Sequence, residues 1–263
     1  MRFMRSLILP LLASCFLIAC QQQSSPNTLT IGTIAGPESD LVRAAKTVAR
    51  EQYDLDIRVI EFSDYNLPNA ALEDGSIDAN VYQHLPYLEA SVKAHHYLLE
   101  PIGRTFLFPA GLYSKKFKSL QAIPNKARIA IPNDPSNEAR ALRLLAEAKL
   151  ITLNESPTPS VQDIISNPKN IRIKSLDAAQ LPRILPDVDA AVINTTFAIP
   201  AGLKPSRDAL ISESKDSPYA NLIVIQSNTK KRAQLEHFVE ALHSDAVKAK
   251  AQQLFGHAAI IAW

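Results

Sequence analysis

Three features of this 263-residue chain predict an α/β protein of two lobes. From residue 28 onward, β-branched segments alternate with amphipathic helical ones. The alternation restarts after a basic stretch at Lys115, Lys116 and Lys118, and a strong late strand with two closing helices follows the second run. Such alternation is the mark of a largely parallel sheet with helices on its faces, so two runs imply two sheets. The first lobe is assigned to 28–112, with 223–263 returning to it, and the second to 113–222. Two crossings of the chain between lobes then make a hinge and a cleft.

In the first run, "LTIGTI" (29–34) is a strand by its β-branched content. Gly36-Pro37 breaks it, and Leu41, Ala44, Ala45, Val48 and Ala49 recur at helical spacing over 38–52. "IRVIEF" (57–62) is a second strand, "LPNAALEDG" (67–75) a short helix closed by Gly75, "IDANVYQ" (77–83) a third strand and 86–97 a helix. "RTFLFPAGLYS" (104–114) reads as one long strand. In the second run, 127–132 is a strand, 136–149 a helix, 171–176 a strand and 178–185 a helical turn. The stretch 189–198 is a strand running into a helix, 219–227 a strong strand, and 229–243 and 245–255 the closing helices.

The first twenty residues stand apart. Arg2 and Arg5 precede an apolar stretch from Leu7 to Ala19, which has signal-peptide length. It ends in Leu17-Ile18-Ala19-Cys20, which resembles a bacterial lipobox and predicts a lipoprotein signal peptide at 1–19 with lipidation at Cys20. Residues 20–27 read as a flexible tether. Cys15 lies inside the leader, so the mature chain keeps no free thiol, which excludes disulfides, thiolate catalysis and cysteine metal sites. Removing the two leader arginines takes the formal charge from +2 to 0, and nothing points to nucleic acid. With 7 glycines and neither GxGxxG nor a P-loop pattern, phosphate-cradling loops are not expected.

Ligands of open α/β sheets bind outside the carboxyl ends of strands. Tyr65 follows the second strand there, and Tyr82, His84 and Tyr87 surround the end of the third. These rings could wall an apolar pocket or be ordinary core and surface aromatics. Asn194 follows the 189–193 segment, whereas Asn221 lies near the start of its strand; both could orient polar ligand groups or act as caps. Arg140 sits in "IPNDPSNEARAL", in or near the first turn of the 136–149 helix, where a cation is usually disfavoured. It is a surface arginine, or it shares an anion with the free helix N–H groups and holds a carboxylate bidentately. On the second reading its loss leaves the empty fold nearly unchanged.

Catalytic motifs are missing from the sequence. There is no GxSxG elbow and no HExxH, His95 and His96 are adjacent, and His237 and His243 are six apart, off the spacing of a helical metal pair. No catalytic residue, metal site or cofactor is therefore expected.

The segments "IAGPES", "EFSDYNLPNAALEDGSIDANVYQHLPYL", "IPNDPSNEARALRLL", "NPKNIRIKSLDAAQLPR", "AAVINTTFA" and "KDSPYANLIVIQ", with Trp263, together resemble the methionine-binding lipoprotein (NlpA-type) family over about 28–263. Ala139 replaces the glycine usual in that family's Asn-Asp-Pro-Thr-Asn-x-Gly-Arg motif, and Tyr82 stands where Phe is common. The resemblance implies a two-lobed periplasmic-binding-protein fold of type II, with the ligand in the interlobe cleft. It implies a lipid-anchored receptor in the bacterial envelope, facing the periplasm or exterior, that delivers L-methionine or a close analogue to the permease and ATPase of an ABC importer. By motif, Tyr65, Tyr82, His84 and Tyr87 would enclose the thioether, Arg140 the α-carboxylate, and Asn194 and Asn221 the polar end. The competing reading is an envelope lipoprotein acting in adhesion or interaction, with a vestigial pocket or one for another amino acid or a dipeptide. A hydrolase on the same scaffold is a third.

Overall fold

The computed structural model describes residues 27–263; the signal peptide, Cys20 and nearly all of the tether lie outside the described residues. The first run folds as β1 (Thr28–Ile34), α1 (Pro37–Tyr53), β2 (Asp56–Phe62), α2 (Pro68–Glu73), β3 (Ala79–His84), α3 (Leu85–His95) and β4 (Leu99–Leu107). Next come β5 (Gly111–Tyr113), β6 (Arg128–Pro132), α4 (Pro135–Glu147) and the hairpin of β7 (Thr152–Leu153) and β8 (Ile164–Ser166). They are followed by β9 (Arg172–Leu176), α5 (Leu181–Ile184), β10 (Ala190–Ile193), α6 (Thr195–Ala198), α7 (Pro205–Asp208) and β11 (Ala209–Ser212). The chain closes with β12 (Ala220–Gln226), α8 (Arg232–Leu242), α9 (Asp245–Phe255) and β13 (Ile260–Ile261).

Two sheets carry the fold. One has the order β13-β4-β12-β3-β1-β2 and the other β11-β5-β10-β6-β9. In the first, β2, β1 and β3 run parallel, and β12 lies antiparallel to both β3 and β4. In the second, β10, β6 and β9 run parallel, and β5 is antiparallel to β10. The central strands β6 and β10 are almost wholly apolar and buried, as burial on both faces requires, whereas the edge strands β2 and β9 keep exposed polar residues. α1, α8 and α9 cover one face of the first sheet, with Leu29, Ile31, Leu235 and Phe238 in one core. Leu72 and Leu88, from α2 and α3, pack with Leu222 and Val224 on the other. Leu142 and Leu145 of α4 fill one side of the second sheet, and Leu181 and Leu185 fill the other.

The stretch 104–114 is not one strand. It breaks into β4 and β5, which belong to different sheets. Pro109 sits in the break and has no N–H to give a ladder. The chain thus crosses between lobes at 108–110 and crosses back between β11 and β12, at 213–219. The sequence boundaries at 112/113 and 222/223 fall inside β5 and β12, whose hydrogen bonds put each whole strand in one sheet. The short β7, β8, β11 and β13 carry too few residues to show a period in sequence.

Candidate functional site

Strand direction places the site. β1, β3, β6 and β10 all end at the seam between lobes, so Gly36, His84, Asn133 and Asn194 emerge there. Asn221, near the start of β12, joins them because β12 is antiparallel to β3 and its register pairs Asn221 with His84. All seven residues singled out in the sequence, Tyr65, Tyr82, His84, Tyr87, Arg140, Asn194 and Asn221, line one cavity. Gln83, Phe108, Asn137, Thr195 and Thr196 complete its wall.

One end of the cavity is aromatic. Tyr65, Tyr82 and Tyr87 meet in tilted and edge-on pairs with centroids 5.7–6.0 Å apart, and Phe197 of the second lobe closes on Tyr65 at 4.9 Å. Such pairs hold rings in fixed orientation. The hydroxyls of Tyr87 and Tyr82 both donate to the Tyr65 carbonyl, at 2.8 and 3.3 Å. The Tyr82 hydroxyl is therefore spent on the cage. Beneath the ring cluster, Asn69, Asn80 and Gln83 satisfy one another's amides, with bonds such as Asn80 Nδ2 to Asn69 Oδ1 at 2.9 Å.

The rest of the lining is polar. Asp134 caps α4, accepting from the backbone N–H of Asn137 at 2.9 Å and from its side-chain amide. Asn137 Oδ1 in turn accepts from Asn194 Nδ2 at 2.8 Å and faces His84 Nε2 at 3.3 Å. Nδ1 of His84 accepts from the Tyr87 N–H, so Nε2 carries the proton. Burial, helped by the nearby Arg140 charge, pulls the His84 pKa down to about 3, and the ring is neutral.

Arg140 differs from the sequence expectation. With Asp134 as N-cap it lies in the second turn of α4, and the helix N-terminus is already occupied by the Asp134 carboxylate. Its fork is occupied too: Nε and Nη2 donate to Glu213 at 2.7 and 2.5 Å. Nη2 also donates to the Phe108 carbonyl at 2.9 Å, and the guanidinium lies 4.5 Å from the Tyr219 ring centroid. Burial opposes the Arg140 charge, but Glu213 outweighs it and holds the pKa above the usual arginine value. Nη1 has no hydrogen-bond partner among the described residues. A cavity anion thus meets one edge of the guanidinium, end-on, and not the bidentate face.

Glu38 went unnoticed in the sequence. It stands in the first turn of α1, where an acidic residue is ordinary. In the fold it is 5% exposed. Its carboxylate accepts from the Thr196 hydroxyl of the other lobe and from Asn221 Nδ2 at 3.4 Å. Burial raises its pKa to about 7, with the Thr196 bond opposing. Glu213, 73 residues from Arg140, was missed as well. Pairing over such separations leaves no local sequence signal.

A two-lobed α/β chain whose interlobe cavity is lined by aromatic rings, amides and a buried arginine is a binding protein for a small amphipathic solute. The chain matches the family model described as NlpA lipoprotein over residues 29–263, and it belongs to that family. It is 43% identical over 258 residues to the D-methionine-binding lipoprotein MetQ of Salmonella typhi, covering 96% of this chain and 95% of that one. An ABC transporter periplasmic substrate-binding protein from Coxiella burnetii superimposes with a TM-score of 0.87 at 53% identity, covering 89% of this chain and 100% of that one. A nutrient binding protein from Burkholderia cenocepacia bound to methionine does so with a TM-score of 0.87 at 45% identity, covering 89% and 100%.

Proposed function

We propose that this protein is the lipid-anchored substrate-binding component of an ABC importer and that its cleft holds methionine. One observation carries the reading: Arg140, Asn194 and Asn221 line the same cavity as a cage of aromatic rings, and Glu38, buried behind that lining, is hydrogen-bonded to two of its residues, Thr196 and Asn221. Arg140 Nη1 donates to the α-carboxylate. Glu38, with the free Oδ1 atoms of Asn194 and Asn221, receives the α-ammonium. Tyr65, Tyr82, Tyr87 and His84 enclose the thioether, where sulfur–ring contacts contribute about 0.3–1.5 kcal/mol. The relatives' names, which include D-methionine binding and ABC transport, support this choice of ligand and partner. The relatives are named as binding proteins of transporters, which supports binding without catalysis.

The two lobes, divided at the crossings 108–110 and 213–219, are anchored to the envelope through Cys20 and the 20–27 tether. No helix among the described residues is long and apolar enough to cross a membrane. Calorimetric titration of protein unfolded, stripped of ligand and refolded, with each methionine enantiomer, tests the reading. Saturable one-to-one binding of at least one enantiomer is expected, weakened by Tyr82→Ala. Absence of binding by correctly refolded protein contradicts it and favours an adhesion or interaction lipoprotein.

A further inference from the structure

Both crossings between lobes converge on the Arg140 guanidinium. From the first crossing, the Phe108 carbonyl accepts from Nη2 at 2.9 Å, and the next carbonyl, of Pro109, accepts from the Thr195 hydroxyl at 2.6 Å. From the second, Glu213 supplies the carboxylate, and Tyr219 packs its ring at 4.5 Å. The crossings are also tied to each other: Glu213 N donates to the Ala110 carbonyl at 3.0 Å, and Ala110 N donates to Glu213 Oε2 at 2.8 Å. The side chains of Arg140 and Glu213 are 5% and 8% exposed.

We propose that Glu213 is the positioning residue of the ligand-carboxylate site, orienting Arg140 so that Nη1 alone is presented to the cavity. This rests on the reading that Arg140 receives an amino-acid carboxylate. A guanidinium has five N–H donors in a rigid plane. Fixing Nε–H and one Nη2–H on a carboxylate leaves that plane no freedom to turn, and the Phe108 carbonyl takes the remaining Nη2–H. The residual donors, on Nη1, then point where the fork geometry sends them. Glu213 also neutralises the buried cation while the cleft is empty, so the ligand carboxylate adds to an already paired guanidinium. A guanidinium released from Glu213 regains the freedom to turn about its side-chain torsions and loses the directed bond.

The test compares methionine with methionine amide, which lacks the carboxylate charge, on wild type and Glu213→Gln, a variant that keeps volume and one acceptor. Glu213→Gln is expected to weaken methionine about tenfold or more, the worth of one charge-assisted hydrogen bond, while the amide changes by less than about threefold. Equal weakening of both ligands, or an unchanged or tighter methionine affinity, overturns the proposal, since a merely structural role lowers melting temperature without ligand discrimination. If Glu213→Gln does not fold, Glu213→Asp, which keeps the charge but shortens the reach, is read by the same criteria. If wild-type protein itself fails to prefer methionine over the amide, it is the carboxylate reading of Arg140 that has failed. A wild-type preference that survives in the variant means Glu213 alone was misassigned.

Discussion

The guanidinium of Arg140 lines the cavity and also pairs with buried Glu213, and this alters what its removal does. The sequence alone implies that the empty protein tolerates its loss. With Glu213 buried opposite, Arg140→Ala strands a carboxylate and a carbonyl, and breaking such a pair costs about 3–5 kcal/mol of stability. Methionine affinity should fall as well, by about 2–5 kcal/mol. Thermal melting of the stripped variant beside calorimetry checks both, and an unchanged melting temperature would show that the Glu213 pair contributes nothing. Glu38 gives a pH signature. Its pKa is raised to about 7 in the fold by burial, so the folded protein keeps a proton that the unfolded chain gives up near the ordinary carboxyl value of 4.5. Its burial therefore costs stability progressively as pH rises through that window, by up to about 3 kcal/mol. His84 works in the opposite sense: its lowered pKa costs stability as pH falls below the ordinary histidine range. A Glu38→Gln variant should lose the decline that accompanies rising pH between 4.5 and about 7 and keep the one that His84 causes as pH falls. An identical pH profile in wild type and variant would remove Glu38 from the account.

At the scale of elements, long periodic segments were readable and pairing over distance was not. α1, α4, β1, β6 and β12 were recognisable from spacing and β-branched content, because each carries its own apolar period. The split of 104–114 was hidden because both halves are equally apolar, and only their hydrogen-bond partners differ. Within the site, the seven residues read from strand ends and family motif meet in one cavity. Glu38, Asn137, Thr196 and Glu213 escaped notice because each looks locally like a cap or a surface residue. The turn between β1 and α1 allows a controlled test. Gly36 has φ 117° and lies at the N-cap, and a Cβ there would approach Pro200 Cγ to 3.2 Å. Gly75 has φ 79° with open space around it. Both Gly→Ala changes should destabilise, by about 1 kcal/mol or more. Only Gly36→Ala should also weaken methionine, because the added methyl sits between the lobes and next to the Glu38 turn. Equal affinities in the two variants would show that this contact plays no part in closure.

At the scale of the whole molecule, the lobes meet through polar and aromatic contacts on either side of the cavity. Asn66 reaches Asp177 at 3.1 Å, His84 faces Asn137, Glu38 meets Thr196, and Tyr65 meets Phe197. A ligand adds to this seam, so closure and binding are one equilibrium. At the other end of the chain, Cys20→Ala should abolish acylation and release the protein from membranes, since each buried CH₂ of a lipid chain contributes about 0.8 kcal/mol. Continued fatty-acid labelling of that variant would contradict the lipobox assignment. The central claim is that the cavity divides an amino-acid zwitterion between two polar partners and a ring cage. A crystal structure of stripped protein soaked with methionine tests it directly. The account predicts carboxylate oxygens in hydrogen-bond range of Arg140 Nη1, the ammonium among Glu38, Asn194 and Asn221, and the sulfur among Tyr65, Tyr82 and Tyr87. A methionine bound elsewhere, or bound here with its ends reversed, would contradict it.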